Sequence, residues 1–310
     1  MSAPALTAGV LQLAGAALLA PLAFGAVAHF KGRLQGRPGP SPLQPYRELR
    51  RLWGKSGVEP WPRTALYRFA PAAVAASLAV AALLIPVAGE APEWGVGHDA
   101  VVLVIVLGLG RFSLAVAAWD TGGGFGLMGA ARDLTFAVFA EALFLLIVVL
   151  AALPSGPSTD LVSMNAAAVG SDVWGEPAHW CAALAFALFA LTEAGRQPVD
   201  NPDTHLELTM VHEGPLLEYA GRDLAVLQWA AAARLWLVLL LGAGLFGPTA
   251  GPFGVRLAIE AATIAALCGA VALCETALAK MRVLQVPLFL GGGMALCLAG
   301  LGSWLAGGGL

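Results

Sequence analysis

Charge is what this sequence most lacks. Only 12% of its 310 residues are Asp, Glu, Lys or Arg, about half the share of an ordinary soluble domain, so a water-facing globule is excluded. Cysteine is scarce as well. Cys181, Cys268, Cys274 and Cys297 stand singly in apolar runs, with no C-x-x-C pair. That spacing offers neither a zinc site nor an iron–sulfur cradle, so no metal is expected in this chain and the four read as small packing residues. A net charge of −3 gives no reason to expect a nucleic-acid partner. The apolar runs are continuous rather than alternating, which argues against a membrane β-barrel.

What fills the sequence instead is apolar: 58% hydrophobic residues and a mean hydropathy of +0.77. A spanning helix needs ~20 apolar residues, and eight runs qualify, at about 6–28, 69–88, 100–119, 134–153, 178–193, 224–246, 255–279 and 287–306. The expected fold is all-α: a single integral membrane domain over 1–310 with about eight transmembrane helices. The first run is too long for a cleaved signal peptide and reads as a retained helix. The fifth is short and is expected to extend upstream through Trp174.

Lys and Arg alternate across these spans. The first connection holds Lys31, Arg33, Arg37, Arg47, Arg50, Arg51, Lys55 and Arg63; the third holds Arg132, the fifth Arg196 and Arg222, the seventh Lys280 and Arg282. The connections near 89–99 and 154–177 have none, and that near 247–256 has only Arg256. The positive-inside rule then puts connections near 29–68, 120–133, 194–223 and 280–286 in the cytoplasm and both termini outside, in the cell (inner) membrane. The segment SPLQPYRELRRLW has the look of a short amphipathic interfacial helix, suited to acidic lipid or to a docked subunit.

Three motif matches carry no chemistry. Gly124-Phe-Gly126-Leu-Met-Gly129 spells G-x-G-x-x-G without the preceding strand a dinucleotide site needs, in what reads as a loop between helices. Gly54-Lys55-Ser56 resembles the end of a phosphate loop, but Leu49 stands where it needs glycine. His212-Glu213 begins H-E-x-x-H, and Leu216 takes the second ligand position.

The remaining signal is charge at membrane depth. Arg111 and Arg234 fall near the middle of the third and sixth runs, Glu141 inside the fourth, Glu193 at the end of the fifth, and Glu260 and Glu275 inside the seventh. A charge at the bilayer centre costs at least ~2.5–3.5 kcal/mol on insertion scales, so each needs a partner or water. Arg–Glu pairs could simply lock the bundle, or the carboxylates could line a hydrated proton path. Glu141 and Glu193 are the stronger path candidates, while Glu260 and Glu275 sit nearer helix ends and could snorkel. Between the fifth and sixth runs, residues 193–223 hold seven of the twenty acidic side chains. Asn201-Pro202 there reads as a helix N-cap and first position, with a helix expected to run to His212 or Glu213 and stop at Gly214-Pro215. His205 and His212 would share a face with Glu207 pointing elsewhere, either passing protons or binding a neighbouring subunit.

Glu193-x-x-Arg196-x-Pro198-x-Asp200, then Glu207-Leu208 and Glu218-Tyr219, resembles the core pattern of the complex I subunit 1 family. The wording DNPDTHLELTMVHE with LLEYAGRDLAVLQW, Gly110-Arg111-Phe112, and Asp120-x-Gly122-x-x-Phe125-Gly126-x-x-Gly129-x-x-Arg132-Asp133 with Glu141 downstream resembles the branch of formate hydrogenlyase and hydrogenase 4. Complex I members carry a run of acids after the Pro-x-Asp element, where this chain has Asp203 and then His205. The resemblance implies a non-catalytic membrane anchor and proton-coupling subunit, joining a cytoplasmic arm of hydrogenase-like and iron–sulfur subunits to antiporter-like membrane subunits. It implies no cofactor in this chain, with iron–sulfur clusters and Ni–Fe in the partners and quinone as a possible ligand. The expected proton path is Glu141, Glu193, Asp200, His205, Glu207, His212, Glu213 and Glu218; Arg111, Arg132, Arg196, Arg234, Glu260 and Glu275 are expected as pairing charges. A quinone-site subunit of a complex I-like oxidoreductase and a stand-alone transporter are the alternatives. No inverted repeat is evident to favour the transporter.

Overall fold

The structure, a computed structural model, describes residues 3–61, 63–91, 97–156, 158–168, 171–200 and 210–307. Seven helices among them are long and apolar enough to cross a membrane, and an eighth, of 17 residues, is shorter. The first crossing is α1 (Ala3–Ala14) and α2 (Ala20–Leu34), joined by a π-helical turn at Gly15–Leu19. Pro21 explains the turn: it has no N–H for the carbonyl four residues back and cannot continue a regular ladder. That carbonyl, on Ala17, instead accepts from Trp229 Nε1 at 3.2 Å, and Leu18 O accepts from the Tyr46 hydroxyl.

Tyr46 belongs to α3 (Gln44–Trp53), the short amphipathic helix expected from its sequence. It buries Leu52 against the bundle and packs on α2 and on α10 (Gly221–Phe246). α4 (Ala65–Leu84) and α5 (Ala100–Thr121) follow, each started by a side-chain cap. Thr64 Oγ1 accepts from Leu66 N, and Asp99 Oδ1 accepts from Val101 N at 2.7 Å. Asp120 Oδ2, at the far end of α5, accepts from Thr64 N at 2.7 Å and ties the two helices together.

α5 turns into α6 (Gly124–Ala152) through Gly122 and Gly123 alone. The expected connection over 120–133 is therefore corrected: Arg132 and Asp133 lie inside α6, as does Gly124–Gly129, which was read as a loop. At 1.5 Å per residue the 29 residues of α6 reach about 44 Å, well beyond a hydrocarbon core of ~30 Å. The glycines of its first turns give close packing instead of a loop, with Gly126, Gly129 and Ala130 buried.

Past α6 come α7 (Leu161–Ala168) and α8 (Ser171–Gly175), then α9 (Pro177–Glu193). The fifth crossing does not extend through Trp174. Glu176 is in extended conformation and Pro177 opens α9, because proline disfavours helix at the residue before it. That α9 still crosses is clear from its far end, where Pro198 O accepts from Met281 N at 2.8 Å in the link between α11 (Phe253–Ala277) and α12 (Val286–Ala306). Eight crossings result. One face gathers α3, Gly122–Gly123, the segment after α9 and the α11–α12 link with most of the Lys and Arg; the opposite face holds the α4–α5 and α10–α11 links, α7 and α8. Arg256, assigned above to a connection, sits in the first turn of α11.

The segment after α9 seats on α6 without intervening side chains. A Cβ at Gly129 would lie 2.6 Å from Gly214 Cα and 3.0 Å from Pro215 Cδ, so the 214–216 turn touches helix backbone directly. Gly129→Val is expected to lower stability by about 1–3 kcal/mol through overpacking. Thermal unfolding in detergent checks this, and an unchanged midpoint would show that the turn can lift off without cost.

Candidate functional site

The charges scattered along the sequence converge. Arg111 on α5 is buried, and its Nη2 donates to Glu193 Oε2 at 2.5 Å. Its Nε lies 3.7 Å from Asp133 Oδ1 and its Nη1 3.8 Å from Glu141 Oε1, both on α6. Arg234 of α10 approaches the other Glu193 oxygen at 3.5 Å. One guanidinium thus touches three carboxylates, and one carboxylate touches two guanidiniums. Glu193 can occupy the point because α9 ends there: Gly195, with φ +61°, turns the chain back beneath it.

A second set lies toward the basic face. Asp200 Oδ1 accepts from Lys280 Nζ at 2.8 Å, and its Oδ2 accepts from the backbone of Val211 at 3.1 Å and of His212 at 3.2 Å. The His212 ring stands between the sets, Nδ1 3.5 Å from Asp200 and Nε2 3.6 Å from Asp133. Arg196 is buried, stacks over Phe24 at 4.2 Å and donates to Glu275 at 3.1 Å; Lys31 reaches the same carboxylate at 3.2 Å.

Two adjoining spaces connect these groups. A cavity of about 110 Å³ is lined by Arg111, Asp133, Glu193, Asp200, Glu213 and Arg234. It shares Arg196, His212 and Glu213 with a larger space of about 560 Å³ that lies between α2, α3 and α10 and opens beside Ser41 and Glu48. Burial pushes the Asp200 carboxyl up, but its bond and charge interaction with His212, and those with Lys280, outweigh burial and hold it below the usual carboxylate range.

Several expectations need correction. Glu260 and Glu275 do not snorkel: both are buried, the first accepting from Ala88 N at 3.0 Å and the second held by Arg196 and Lys31. The expected helix to His212 or Glu213 is not present over 210–213, where the chain bends before a 3-10 turn at Gly214–Leu216. Asp200 takes the backbone N–H groups of 211 and 212 out of a helical ladder. His205 and Glu207 lie outside the described residues. Glu218 stands apart from the cluster: its carbonyl accepts from Tyr67 Oη at 2.8 Å while Tyr219 Oη donates to Tyr67 O at 3.0 Å, the two rings stacked. Arg132 Nη1 donates to Met210 O at 3.3 Å and so anchors the loop rather than pairing a charge in the cluster.

Sequence reasoning missed Asp133, Lys31 and Lys280. Asp133 had a usable signal, since it lies two helical turns before Glu141 and shares its face. The two lysines had none, because they sit among other basic residues.

The model of the family described as NADH dehydrogenase matches residues 8–300. The chain belongs to the complex I subunit 1 family. It is 31% identical over 232 residues to hydrogenase-4 component C of Escherichia coli (strain K12), covering 74% of this chain and 72% of the relative. It is 30% identical over 286 residues to formate hydrogenlyase subunit 4 of the same organism, covering 87% and 89%. Its fold matches a chain of the membrane-bound sulfane sulfur reductase, an archaeal respiratory membrane complex, with TM-score 0.82 at 18% identity over 96% of this chain and 98% of that one. Family membership makes the chain a membrane subunit of the type found in hydrogenase-4 and formate hydrogenlyase.

Because the folded Asp200 carboxyl is lowered, its stabilising effect is complete above the ordinary Asp value of ~3.9 and drains away as pH falls toward the lowered one. Asp200→Asn is expected to cost about 1–3 kcal/mol at pH 7. That deficit should shrink as the buffer is taken below the ordinary value. Unfolding at stepped pH measures it, and a deficit independent of pH would remove Asp200 as the charged tie.

Proposed function

We propose that this chain is the membrane anchor and proton-coupling subunit of a hydrogenase-type complex, related to complex I. The observation that carries the reading is the unbroken charge chain from Glu141 through Arg111 to Glu193, ending in a cavity that leads to the basic face. Such a chain can relay a protonation change across half the bundle, because each group's charge is felt by the next at contact distance.

The two ends indicate the partners. Glu141 lies well inside α6, yet its side chain keeps 41% of its exposure. A carboxylate at that depth facing lipid would cost at least ~2.5 kcal/mol, so this flank suits a neighbouring membrane subunit of the antiporter-like kind. On the basic face, the 29–68 and 194–223 regions suit a cytoplasmic arm of hydrogenase-like and iron–sulfur subunits. Iron–sulfur clusters and Ni–Fe belong, in this reading, to that arm. The larger space, at 560 Å³, is within the ~300–1,000 Å³ range of small-molecule sites and favours a second reading in which a quinone head group reaches Arg196 and His212.

Orientation follows the lysine and arginine asymmetry: the basic face lies in the cytoplasm and both termini outside, in the inner membrane. A reporter fused after Leu310 should be exposed outside and one inserted near Gly57 inside. A cytoplasmic C-terminus would break the eight-crossing count.

For coupling, Gln at Glu141 or Glu193 keeps volume and hydrogen bonding but removes the proton. Electron transfer in the purified complex should continue at least in part, while ion movement per electron in reconstituted vesicles falls severalfold. Undiminished ion movement in both variants would leave the two residues as structural pairs.

A further inference from the structure

The face opposite the basic one holds a second buried polar cluster, beneath the link between α4 and α5. Residues Ile85 to Ala88 of that link are buried, although a connection normally runs over the surface. Ala88 takes φ +51°, a left-handed conformation costly for any side chain, and Val87 and Glu90 close the turn through paired backbone bonds of 3.0 Å. Polar side chains hold it in place. Gln12 Nε2 of α1 donates to Ile85 O at 2.6 Å, and Glu260 Oε2 of α11 accepts from Ala88 N at 3.0 Å. Arg256 donates to Glu90 at 2.6 Å. A Cβ on Gly89 would stand 3.2 Å from Asn165 Oδ1 of α7.

This cluster is incompletely satisfied by protein. Among the described residues Glu260 Oε1, Gln12 Oε1, Asn165 Nδ2 and Arg256 Nε are buried without a hydrogen-bond partner. Two acceptors and two donors converging on one turn match what bridging water completes.

Among the described residues Glu260 has no counter-ion of its own. The charged groups described around it are Arg256, one turn away on its own helix, and Glu90 of the turn, and these two are paired with each other. α1 offers Gln12 and α7 offers Asn165. α2 and α10, which pack on α11, carry His29, Lys31, Arg33, Arg222, Asp223 and Arg234, all toward mid-bundle or the basic end. Glu260 is thus a buried carboxyl with one oxygen hydrogen-bonded and, among the described residues, the other without a partner.

We propose that Glu260 is a proton-binding site that exchanges with the aqueous phase at the face opposite the basic one, through water held beneath the 85–90 turn. It is separate from the path proposed above. About 22 Å of α11 lie between Glu260 and Glu275, and Leu235, Leu237, Val238, Leu239 and Leu240 are buried between the two polar clusters. The proposal does not depend on which subunits accompany the chain.

The test uses the protein, as purified with its membrane partners, in vesicles whose two buffers are set independently. Dicyclohexylcarbodiimide adds to protonated carboxyl groups in apolar surroundings, and peptide mass spectrometry locates the adduct. Glu260 should be labelled, with labelling falling as the opposite-face buffer is made alkaline and unchanged by the pH at the basic face. Labelling that follows the basic face, or ignores both buffers, overturns the proposal. Glu260→Gln supplies an independent measurement, since its amide oxygen still accepts from Ala88 N–H. Acid-minus-alkaline infrared difference spectra should lose one protonated-carboxyl C=O band in that variant, and an unchanged spectrum would overturn it equally.

Discussion

The bundle is organised around the pair of Arg111 and Glu193. Two ions taken out of water lose several kcal/mol of hydration each, which their attraction repays only with close geometry and further partners. Both conditions hold: contact is 2.5 Å, and Asp133, Glu141 and Arg234 surround the pair. The requirement propagates outward. Glu193 must end α9 at this depth, so α9 stays short and its compensating length appears as α7 and α8 on the opposite side. Arg111 must be reached from α6, so the α5–α6 hairpin is held tight by two glycines. Removing Glu193 would leave Arg111 only the longer contacts with Asp133 and Glu141, and removing Arg111 would leave Glu193 only that with Arg234, a larger loss than the pair itself contributes.

The basic face is built by stitching rather than by an apolar core. Asp200 alone joins the end of the α9 segment to residues 211–212 and to Lys280, and Pro198 adds a backbone bond to Met281. Tyr67 and Tyr219 exchange hydroxyl-to-carbonyl bonds across α4 and the same segment. The described parts of this charge-rich connection, up to residue 200 and from residue 210, are thereby tied together through their own polar groups.

How much of this was legible depends on which physical signal each part leaves. Spanning helices leave a long hydropathy signal, so eight crossings and their alternation with lysine and arginine could be read directly. The start of α6 leaves a misleading one: Gly124 to Asp133 is rich in glycine and charge, and composition alone cannot tell such a helix from a loop. The fifth crossing failed in the other direction, its apolar content continuing past Pro177 while the backbone does not. For the site, Arg111, Glu141 and Glu193 stood out because charge in an apolar run is costly. Asp133, Lys31 and Lys280 did not, because each lies where polar residues are ordinary. The buried state of Glu260 and Glu275 was misjudged for a related reason: position along a helix fixes depth, but only the neighbours decide whether a side chain can reach water.

The charges of the cluster stand in contact with one another, so a change at one is felt by its neighbours. The cations Arg111, Arg234, Arg196, Lys31 and Lys280 face the carboxylates Glu193, Asp133, Glu141, Glu275 and Asp200, with His212 placed between the two sets and Glu213 lining the same cavity. In the proposed path a proton on Glu141 weakens the hold of that carboxylate on Arg111, which then leans on Asp133 and Glu193. Asp133 is also the neighbour of His212, so the imbalance is passed to the ring that borders the basic-face cavity. The reverse order works as well, since coupling free energy between two sites is reciprocal. An event at the basic-face cavity can therefore set the protonation of the flank that would meet a neighbouring membrane subunit, with the shared guanidinium as the physical link.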